Sequence, residues 1–184
     1  VQMFQIVQHY DTFHIDDESF CTVLELCDGP DLGEYMRKIG SIPEKEAKVI
    51  IYQILEGLVY LNQGGIKHHR VIHYDLKPQN IIFHKSSVKI ADFGCCKLMG
   101  EDDSRVELTN QAVGTKCYQP PECFSKISKP MINSKVDIWS VGVIFYEMLY
   151  GVRPFGDNAN DGADPLETME SEICNLSFPT KPST

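Results

Sequence analysis

Two short polar segments flank a stretch that the sequence predicts to be a β-hairpin. The first segment, residues 73–80, reads His-Tyr-Asp-Leu-Lys-Pro-Gln-Asn, and the second is Asp-Phe-Gly at 92–94. Between them, the apolar runs Ile81–Phe83 and Val88–Ile90 are joined across the polar residues 84–87. This pattern is typical of two short antiparallel strands and a tight turn. Such a hairpin would set the two polar segments on opposite sides of one cleft, and it constrains the fold more than any other feature.

The residue types in these segments suit phosphoryl transfer. A carboxylate can take a proton from a hydroxyl group, a lysine can neutralise phosphoryl charge, and carboxylate and amide oxygens are ligands that Mg²⁺ prefers. The sequence supplies them as Asp75, Lys77, Asn80 and Asp92. The ordinary alternatives are a solvated aspartate, a capping asparagine and a turn aspartate. Two such segments in this order weaken those alternatives, because each added motif lowers the chance of coincidence.

The residues before the first polar segment predict a strand pair and a helix. The apolar-rich runs Ile6–Phe13 and Phe20–Leu26 are separated by the polar residues 14–18, as in an antiparallel pair. Asp31 precedes apolar residues with helical spacing, and Gly40 is expected to end that helix in an αL cap.

Two longer helices are also predicted. Ser41 and Glu44 have the spacing of a capping box at the start of the first. The second, Val136–Tyr150, is apolar on almost every face, which predicts a buried central helix that ends at Gly151 and Pro154. The apolar stripe of the first helix consists of Ala47, Ile50, Ile51, Ile54, Leu55, Leu58 and Leu61.

Composition and charge argue against several functional classes. The 184 residues, 42% hydrophobic and 23% charged, are typical of one soluble globular domain. A net charge of -9 without a visible basic patch argues against nucleic-acid binding and suits a basic polypeptide substrate better. Seven cysteines without a Cys-x-x-Cys pair predict free thiols in a reducing compartment. Charged residues such as Lys48, Glu56 and Glu147 interrupt the longest apolar stretches, so we do not expect a membrane protein.

The two polar segments and their neighbours resemble the catalytic domain of the eukaryotic protein kinases. The resemblance implies an α+β, protein-kinase-like fold that is mainly the helical C-lobe. Residues 1–26 would be a remnant of the N-lobe sheet and the approach to the hinge, and residues 27–184 an incomplete C-lobe. The motifs that carry it are the catalytic loop 73–80, the activation segment 92–122 with Gly114-Thr115 and Pro120-Pro121-Glu122, and Asp137-Ile138-Trp139-Ser140-Val141-Gly142.

Within that superfamily the sequence is most similar to the Tousled-like kinases. The family's Gly-rich loop, strand lysine and helix glutamate do not occur in these residues, so we interpret the chain as an incomplete segment of a kinase domain. The segments that carry the similarity are Phe20–Glu25, the linker from Leu61-Asn62 to Val71-Ile72, His73-Tyr74-Asp75, Pro120–Phe124 and Asn133–Trp139.

The resemblance gives each polar residue of the catalytic region a role. Asp75 would be the catalytic base, and Lys77 would neutralise charge on the transferred phosphoryl group. Asn80 and Asp92 would hold Mg²⁺, and Lys77 and Asp92 would also contact ATP. Thr115 would hydrogen-bond to Asp75 and Lys77, which favours serine and threonine over tyrosine substrates.

The resemblance also locates the adenosine site. Leu24 is the gatekeeper position, and backbone groups of Glu25 and Cys27 would hydrogen-bond the adenine base. Ile82 would form the floor under the base. Asp31 matches an acidic residue that contacts the ribose, although a plain helix N-cap explains it equally well.

Three further positions are expected to be structural. Asp137 matches the residue that receives backbone amides of the catalytic loop, and Trp139 is expected to pack in the core. His73 is expected to pack against Phe93 rather than to carry a proton.

Tyr74 departs from the family pattern. Regulated kinases carry an arginine there that pairs with a phosphothreonine in the activation segment, and Gln111 stands at the usual phosphosite position. We therefore hypothesise that activation does not depend on phosphorylation at that position. Thr109 and Ser104 remain alternative sites. Cys95, after the Asp-Phe-Gly triplet, is a second departure from the family pattern, since many kinases have leucine there.

The predicted function is therefore an ATP- and Mg²⁺-dependent protein serine/threonine kinase. The main alternative is a catalytically silent pseudokinase that acts as a scaffold, and a small-molecule kinase of related fold is a weaker one. The similarity to Tousled-like kinases implies a nuclear enzyme, acting on chromatin-assembly factors and oligomerising through upstream coiled coils.

Overall fold

The computed structural model describes residues 3–64, 69–100, 103–109, 114–124, 129–155 and 165–174. The described residues form four two-stranded sheets together with helices, in agreement with the predicted α+β class. Short 3-10 helices cover Pro78–Asn80, Lys116–Tyr118 and Pro121–Phe124. The named elements are β1 (His9–His14), β2 (Phe20–Leu24), α1 (Leu32–Ile39), α2 (Glu44–Asn62), β3 (Arg70–Ile72), β4 (Ile81–His84), β5 (Ser87–Ile90), β6 (Lys97–Met99), β7 (Val106–Glu107), β8 (Met131–Ile132), α3 (Lys135–Tyr150) and α4 (Pro165–Cys174).

Strands β1 and β2 form the predicted antiparallel pair, but β1 starts later than expected. Its register pairs His14 with Phe20 and Thr12 with Thr22. The first part of the predicted strand turns instead towards β5, where Ile6 forms a parallel bridge with Ile90. Ile6 also packs against the hydrophobic core. Burial of this side chain therefore decides where the segment pairs.

Helix α1 begins and ends where the sequence predicts. The Asp31 side chain accepts a hydrogen bond of 2.8 Å from the Glu34 amide, which makes it the N-cap. At the other end, the Gly40 amide donates to the Met36 carbonyl at 2.8 Å. Gly40 has φ 77° and ψ -131°, so it is not the αL cap that we predicted. A positive φ of this kind is still best suited to glycine.

The predicted capping box before α2 is wrong. The helix begins at Glu44, and Pro43 occupies the N-cap position without a side-chain hydrogen bond. A residue before proline is disfavoured in the helical region, so Ile42 stays outside the helix. Ile42 is buried, and its amide donates to the Met148 carbonyl on α3. Tertiary packing therefore sets the start of this helix.

The core lies between α2, α3 and the β4–β5 hairpin. The stripe residues Ala47, Ile54 and Leu61 of α2 are fully buried, which confirms the predicted face. Helix α3 spans the predicted residues and ends at Gly151 in the left-handed conformation. It is less completely buried than predicted, because Ile138 is 50% exposed. One face of α3 borders an apolar cavity of about 520 Å³.

A second apolar cluster lies beside the catalytic loop. Strand β3 pairs with β6, and β7 pairs with β8, which brings the activation segment against the loop. We call this group the loop cluster. Its buried members are Ile72, Tyr74, Met99, Leu108, Cys123, Ile132 and Val136.

Two composition-based expectations can be compared with the structure. Among the described residues, no helix combines the length and apolar character needed to cross a bilayer. The six cysteines whose side chains the structure describes are free thiols, as the sequence predicts. They are Cys21, Cys27, Cys95, Cys96, Cys117 and Cys123.

Candidate active site

The β4–β5 hairpin positions both polar segments. Its strands pair in register from Ile81 with Ile90 to His84 with Ser87, as the sequence predicts. At its base, the Ala91 amide donates to the Asn80 carbonyl at 2.9 Å. This backbone hydrogen bond therefore places the end of the catalytic loop beside the residue that precedes Asp92.

Asp75 lies at the centre of a small hydrogen-bond network. Its Oδ1 accepts hydrogen bonds of 2.8 Å from both the backbone amide and the hydroxyl of Thr115. Its Oδ2 forms an ion pair of 2.9 Å with Lys77 Nζ. Burial by itself raises the pKa of Asp75, but Lys77 and Thr115 outweigh it and lower the pKa below its ordinary value of 3.8. The carboxylate is therefore ionised at neutral pH.

Thr115 connects the activation segment to the catalytic loop. Its hydroxyl donates to Asp75 and accepts a hydrogen bond of 3.1 Å from Lys77 Nζ. The preceding Gly114 has φ 90°, and its Cα faces the Tyr74 carbonyl and the Gln119 side chain. A side chain at position 114 would collide there, so glycine permits this close approach.

Asn80 closes the loop from the other side. Its amide nitrogen donates to the Asp75 carbonyl at 2.9 Å and also lies 3.5 Å from Asp75 Oδ2. With its nitrogen directed to the loop, the amide oxygen is the atom left to face a cation. Asp92 has an exposed carboxylate and φ 61°, and its Oδ1 accepts the Gly94 amide at 3.2 Å. Two oxygen ligands fit Mg²⁺, since phosphate oxygens and water normally complete its shell.

Asp137 supports the catalytic loop from below, as the sequence predicts. It is buried, and its two oxygens accept the amides of His73 at 2.8 Å and Tyr74 at 2.9 Å. Burial raises the pKa of Asp137, and these two amides oppose that effect. The carboxylate fixes the backbone immediately before Asp75.

His73 has the structural role expected for it. Its ring packs edge-on against Phe93 at a centroid distance of 5.0 Å. Its Nε2 lies 2.9 Å from the Ala91 carbonyl, which can only accept, so Nε2 carries the proton. Trp139 packs against Phe155 at 5.5 Å and borders the core, as predicted.

Tyr74 lies inside the loop cluster. Its backbone has φ 70°, which is unusual for a residue with a side chain. The ring is 2% exposed, and its hydroxyl faces the Cys123 thiol. Burial raises the pKa of Tyr74, so the phenol is neutral. Lys97 Nζ lies 5.5 Å above the ring. The predicted phosphosite position, Gln111, lies outside the described residues.

The five residues predicted to contact adenosine line one cleft. This cleft has a volume of about 430 Å³. Asp31 is both the cap of α1 and part of this lining, so the two interpretations of Asp31 are compatible. The predicted residues in its wall are Leu24, Glu25, Cys27, Asp31 and Ile82.

Sequence reasoning missed several members of the cleft. Val7, Gln79 and Ala91 also line it. Gln79 and Ala91 stand next to predicted site residues, so their position in the motifs could have indicated them. Val7 could not have been found in this way, because it reaches the cleft through a backbone hydrogen bond of 3.0 Å to the Ile90 carbonyl.

The described part of the chain contains no group of three or more His, Cys, Asp or Glu side chains that could hold a metal ion. A site of that kind is not what the motifs predict. Their pair of ligands, Asn80 and Asp92, would depend on oxygen atoms from the nucleotide.

Comparison with known proteins shows the family. A family model described as protein kinase domain matches residues 1–183. The serine/threonine-protein kinase TOUSLED of Arabidopsis thaliana is 47% identical over 182 residues, which are 97% of this chain and 26% of that protein. The serine/threonine-protein kinase tousled-like 2 of Homo sapiens is 46% identical over 187 residues, 97% of this chain and 24% of that protein. The serine/threonine-protein kinase tousled-like 1 of Caenorhabditis elegans is 47% identical, with 97% and 19% covered.

The chain spans about a quarter of the length of the first two of these relatives. The family model nevertheless covers nearly all of it, and the order of loop, hairpin, triplet and central helix agrees with that match. The chain therefore belongs to the protein kinase domain family.

Proposed function

We propose that this chain forms the catalytic part of a protein serine/threonine kinase, which transfers the γ-phosphoryl group of ATP to a serine or threonine hydroxyl. The observation that carries the proposal is the arrangement of Asp75, Lys77 and Thr115. Thr115 links the activation segment to an ionised carboxylate that is paired with a lysine. This is the chemistry that the reaction needs at the acceptor hydroxyl.

Each residue contributes a separate part of the reaction. Asp75 accepts the proton of the substrate hydroxyl group. The hydroxyl oxygen bonds to the γ-phosphorus atom, and the bond between that phosphorus and the oxygen of the leaving ADP breaks. Lys77 stabilises negative charge on the transferred group. Mg²⁺, held by Asn80 and Asp92, would neutralise phosphate charge when bound. The cleft has a volume of about 430 Å³, and its apolar side chains Leu24 and Ile82 would contact the adenine base.

The catalytic loop keeps Asp75, Lys77 and Asn80, which supports an enzyme over the silent scaffold. Nothing in the described residues favours the pseudokinase alternative. The protein kinase family match and the names of the relatives point in the same direction.

Phosphoryl transfer by the full-length protein tests this proposal. With ATP, Mg²⁺ and a mixture of Ser/Thr peptides, we expect incorporation of phosphate on serine and threonine. Asp75→Asn should lower kcat about 10²- to 10⁴-fold, because it removes the base and keeps the side-chain shape. Asp17→Asn, at an exposed turn between β1 and β2, is the matched control. Equal activity of Asp75→Asn and the wild type would overturn the proposal.

We further propose a nuclear site of action on chromatin-assembly factors, with oligomerisation through other regions of the full-length protein. Similarity to the Tousled-like kinases is the support for this step. Imaging of the tagged protein and identification of its phosphorylated partners in nuclear extract would test it. Exclusion of the tagged protein from the nucleus would contradict it.

A further inference from the structure

A group of ionisable side chains lies behind the hinge of the nucleotide cleft. We call it the hinge network, and its members are Glu25, Asp28, His84 and Lys89. Lys89 Nζ lies 2.9 Å from Glu25 Oε2, and His84 Nε2 lies 3.5 Å from Glu25 Oε1. The other ring nitrogen of His84 lies 3.2 Å from Asp28 Oδ1. A lysine and a histidine of the β4–β5 hairpin therefore meet two carboxylates of the hinge.

Lys89 is the most deeply buried member. It is 4% exposed, which is rare for a lysine unless its charge is compensated. Compensation comes from Glu25 and from the Phe4 carbonyl, which accepts a hydrogen bond of 2.7 Å. Removing one partner of a buried pair leaves the other charge unpaired, which is costly. Lys89 and Glu25 therefore restrain each other.

The Glu25 carboxylate is fixed from several directions. Besides Lys89 and His84, its Oε2 accepts the Gln8 amide at 3.1 Å. Burial by itself raises the pKa of Glu25, but the hydrogen bonds from Lys89 and from the Gln8 amide outweigh it and lower the pKa. The Glu25 carboxylate is therefore ionised at neutral pH, and these contacts fix its position.

The backbone around Glu25 is tied at both ends. The Glu25 amide donates to the Gln8 carbonyl at 2.8 Å, and the Gly29 amide donates to the Phe83 carbonyl at 3.1 Å. Between these two points the chain passes along the cleft. Leu26 is 88% exposed there, so its side chain cannot hold the segment in place. The Asp28 side chain accepts the Lys85 amide at 3.0 Å, and the side chains behind the hinge add a further restraint.

We propose that Lys89 and His84 are positioning residues for nucleotide binding. They hold Glu25 from behind, so that the backbone of residues 25–27 presents its hydrogen-bonding groups to the adenine base in a fixed position. This inference rests on the proposed kinase function, and it assigns a role to two residues that lie outside the predicted site. Holding donors and acceptors in place before binding lowers the entropic cost of binding.

A purely structural role for Lys89 makes a different prediction. Loss of general support for the hairpin would weaken the whole site, including its phosphate end. Loss of positioning would act at the adenine end alone. Adenosine and inorganic tripolyphosphate each probe one of these ends, so their binding separates the two roles.

The experiment compares variants of the full-length protein. Lys89→Met should raise the KM for ATP and the Kd for adenosine about tenfold, and should change kcat by less than about twofold. The Kd for inorganic tripolyphosphate should stay within about twofold. Lys89→Arg keeps the charge and should restore the KM for ATP to within about threefold of wild type. Lys48→Met is the matched control, because it breaks the exposed Lys48–Glu44 pair of 2.6 Å on α2.

A double-mutant cycle adds a second readout. Glu25→Gln should raise the KM for ATP by an amount similar to Lys89→Met, and the double variant should be no worse than either single variant. If Lys89→Met does not fold, Glu25→Gln and His84→Gln are measured in the same way, with an increase of about threefold expected for His84→Gln.

Three outcomes would overturn the inference. One is a folded Lys89→Met protein with wild-type KM for ATP, and another is equal weakening of adenosine and tripolyphosphate. The third is wild-type KM in both Glu25→Gln and His84→Gln. In each case an active wild type leaves the proposed function standing. A wild-type protein that neither binds ATP nor transfers phosphate would instead reject the proposed function itself.

Discussion

The catalytic loop and the hinge are two parts of one cleft that use their residues in different ways. In the loop, the side chains of Asp75, Lys77 and Asn80 would carry the proposed chemistry, and they hydrogen-bond to one another or to the backbone. In the hinge, Glu25 and Cys27 are expected to act through their backbone groups, and the side chains of Leu24 and Leu26 are 48% and 88% exposed. The loop therefore depends on side-chain identity, whereas the hinge depends on how the backbone is held.

This difference explains why a sequence motif marks the catalytic loop but not the hinge. A side chain that performs a reaction can be replaced by few others, so its identity forms a motif. A backbone amide or carbonyl is present at nearly every residue, so it forms none. Substitutions should therefore affect activity more in the loop than in the hinge. Four measurements on the full-length protein test this difference.

The largest effect is expected at Lys77. Lys77→Met removes the charge that pairs with Asp75 and bonds to Thr115. We expect kcat to fall about 10²- to 10³-fold, because the transferred phosphoryl group loses a preorganised cation. Steady-state kinetics with ATP and a peptide would measure it. Lys45→Met, on the first turn of α2, is the control. An equal fall of kcat in both variants would contradict a specific role for the Lys77 side chain.

The next effect is expected at Asp137. Asp137→Asn leaves one of the amides of His73 and Tyr74 facing an NH₂ group instead of an acceptor. We expect the free energy of unfolding to fall by about 2–4 kcal/mol, since hydrogen bonds to charged groups are strong and both partners are buried. Chemical denaturation measures this change.

Asp16→Asn is the control for Asp137→Asn. Asp16 is exposed, and its side chain accepts the Glu18 amide at 2.9 Å in a turn. Little change in stability is expected there. Equal stability of Asp137→Asn and wild type would show that the loop backbone does not depend on this carboxylate.

A smaller effect is expected from the phosphorylation state. Tyr74 cannot pair with a phosphate as an arginine would, and it packs in the loop cluster instead. Phosphatase treatment and Thr109→Ala should each change kcat/KM by less than about threefold. Peptide phosphorylation before and after treatment measures this. Loss of activity in both cases would show that a phosphate orders the activation segment.

The smallest effect is expected in the hinge. Leu26→Ser alters a side chain that points mainly to solvent, while the backbone of residues 25–27 is unchanged. The KM for ATP should change by less than about twofold. A tenfold increase would mean that the hinge, like the loop, acts through its side chains, and the difference between the regions would disappear.

Some elements followed from local sequence, whereas others were decided by distant contacts. The β4–β5 hairpin, the end of α1 and the extent of α3 agree with their local patterns. Ser41 and Glu44 also had the right spacing for a cap, but burial of Ile42 against α3 set a different start for α2. The exposed face of α3 was missed because an apolar sequence does not reveal which neighbour covers each side.

The family and the candidate reactive groups of this protein follow from its amino-acid sequence alone. Asp75, Lys77, Asn80, Asp92 and Thr115 were all predicted from motifs, because their chemistry restricts the residue type at each position. The contacts that fix the positions of these groups are visible only in the tertiary structure. The Thr115 bonds to Asp75, the burial of Tyr74 among apolar residues and the Lys89–Glu25 pair join segments far apart in the chain. Such contacts depend on packing across the whole core, which no local pattern encodes.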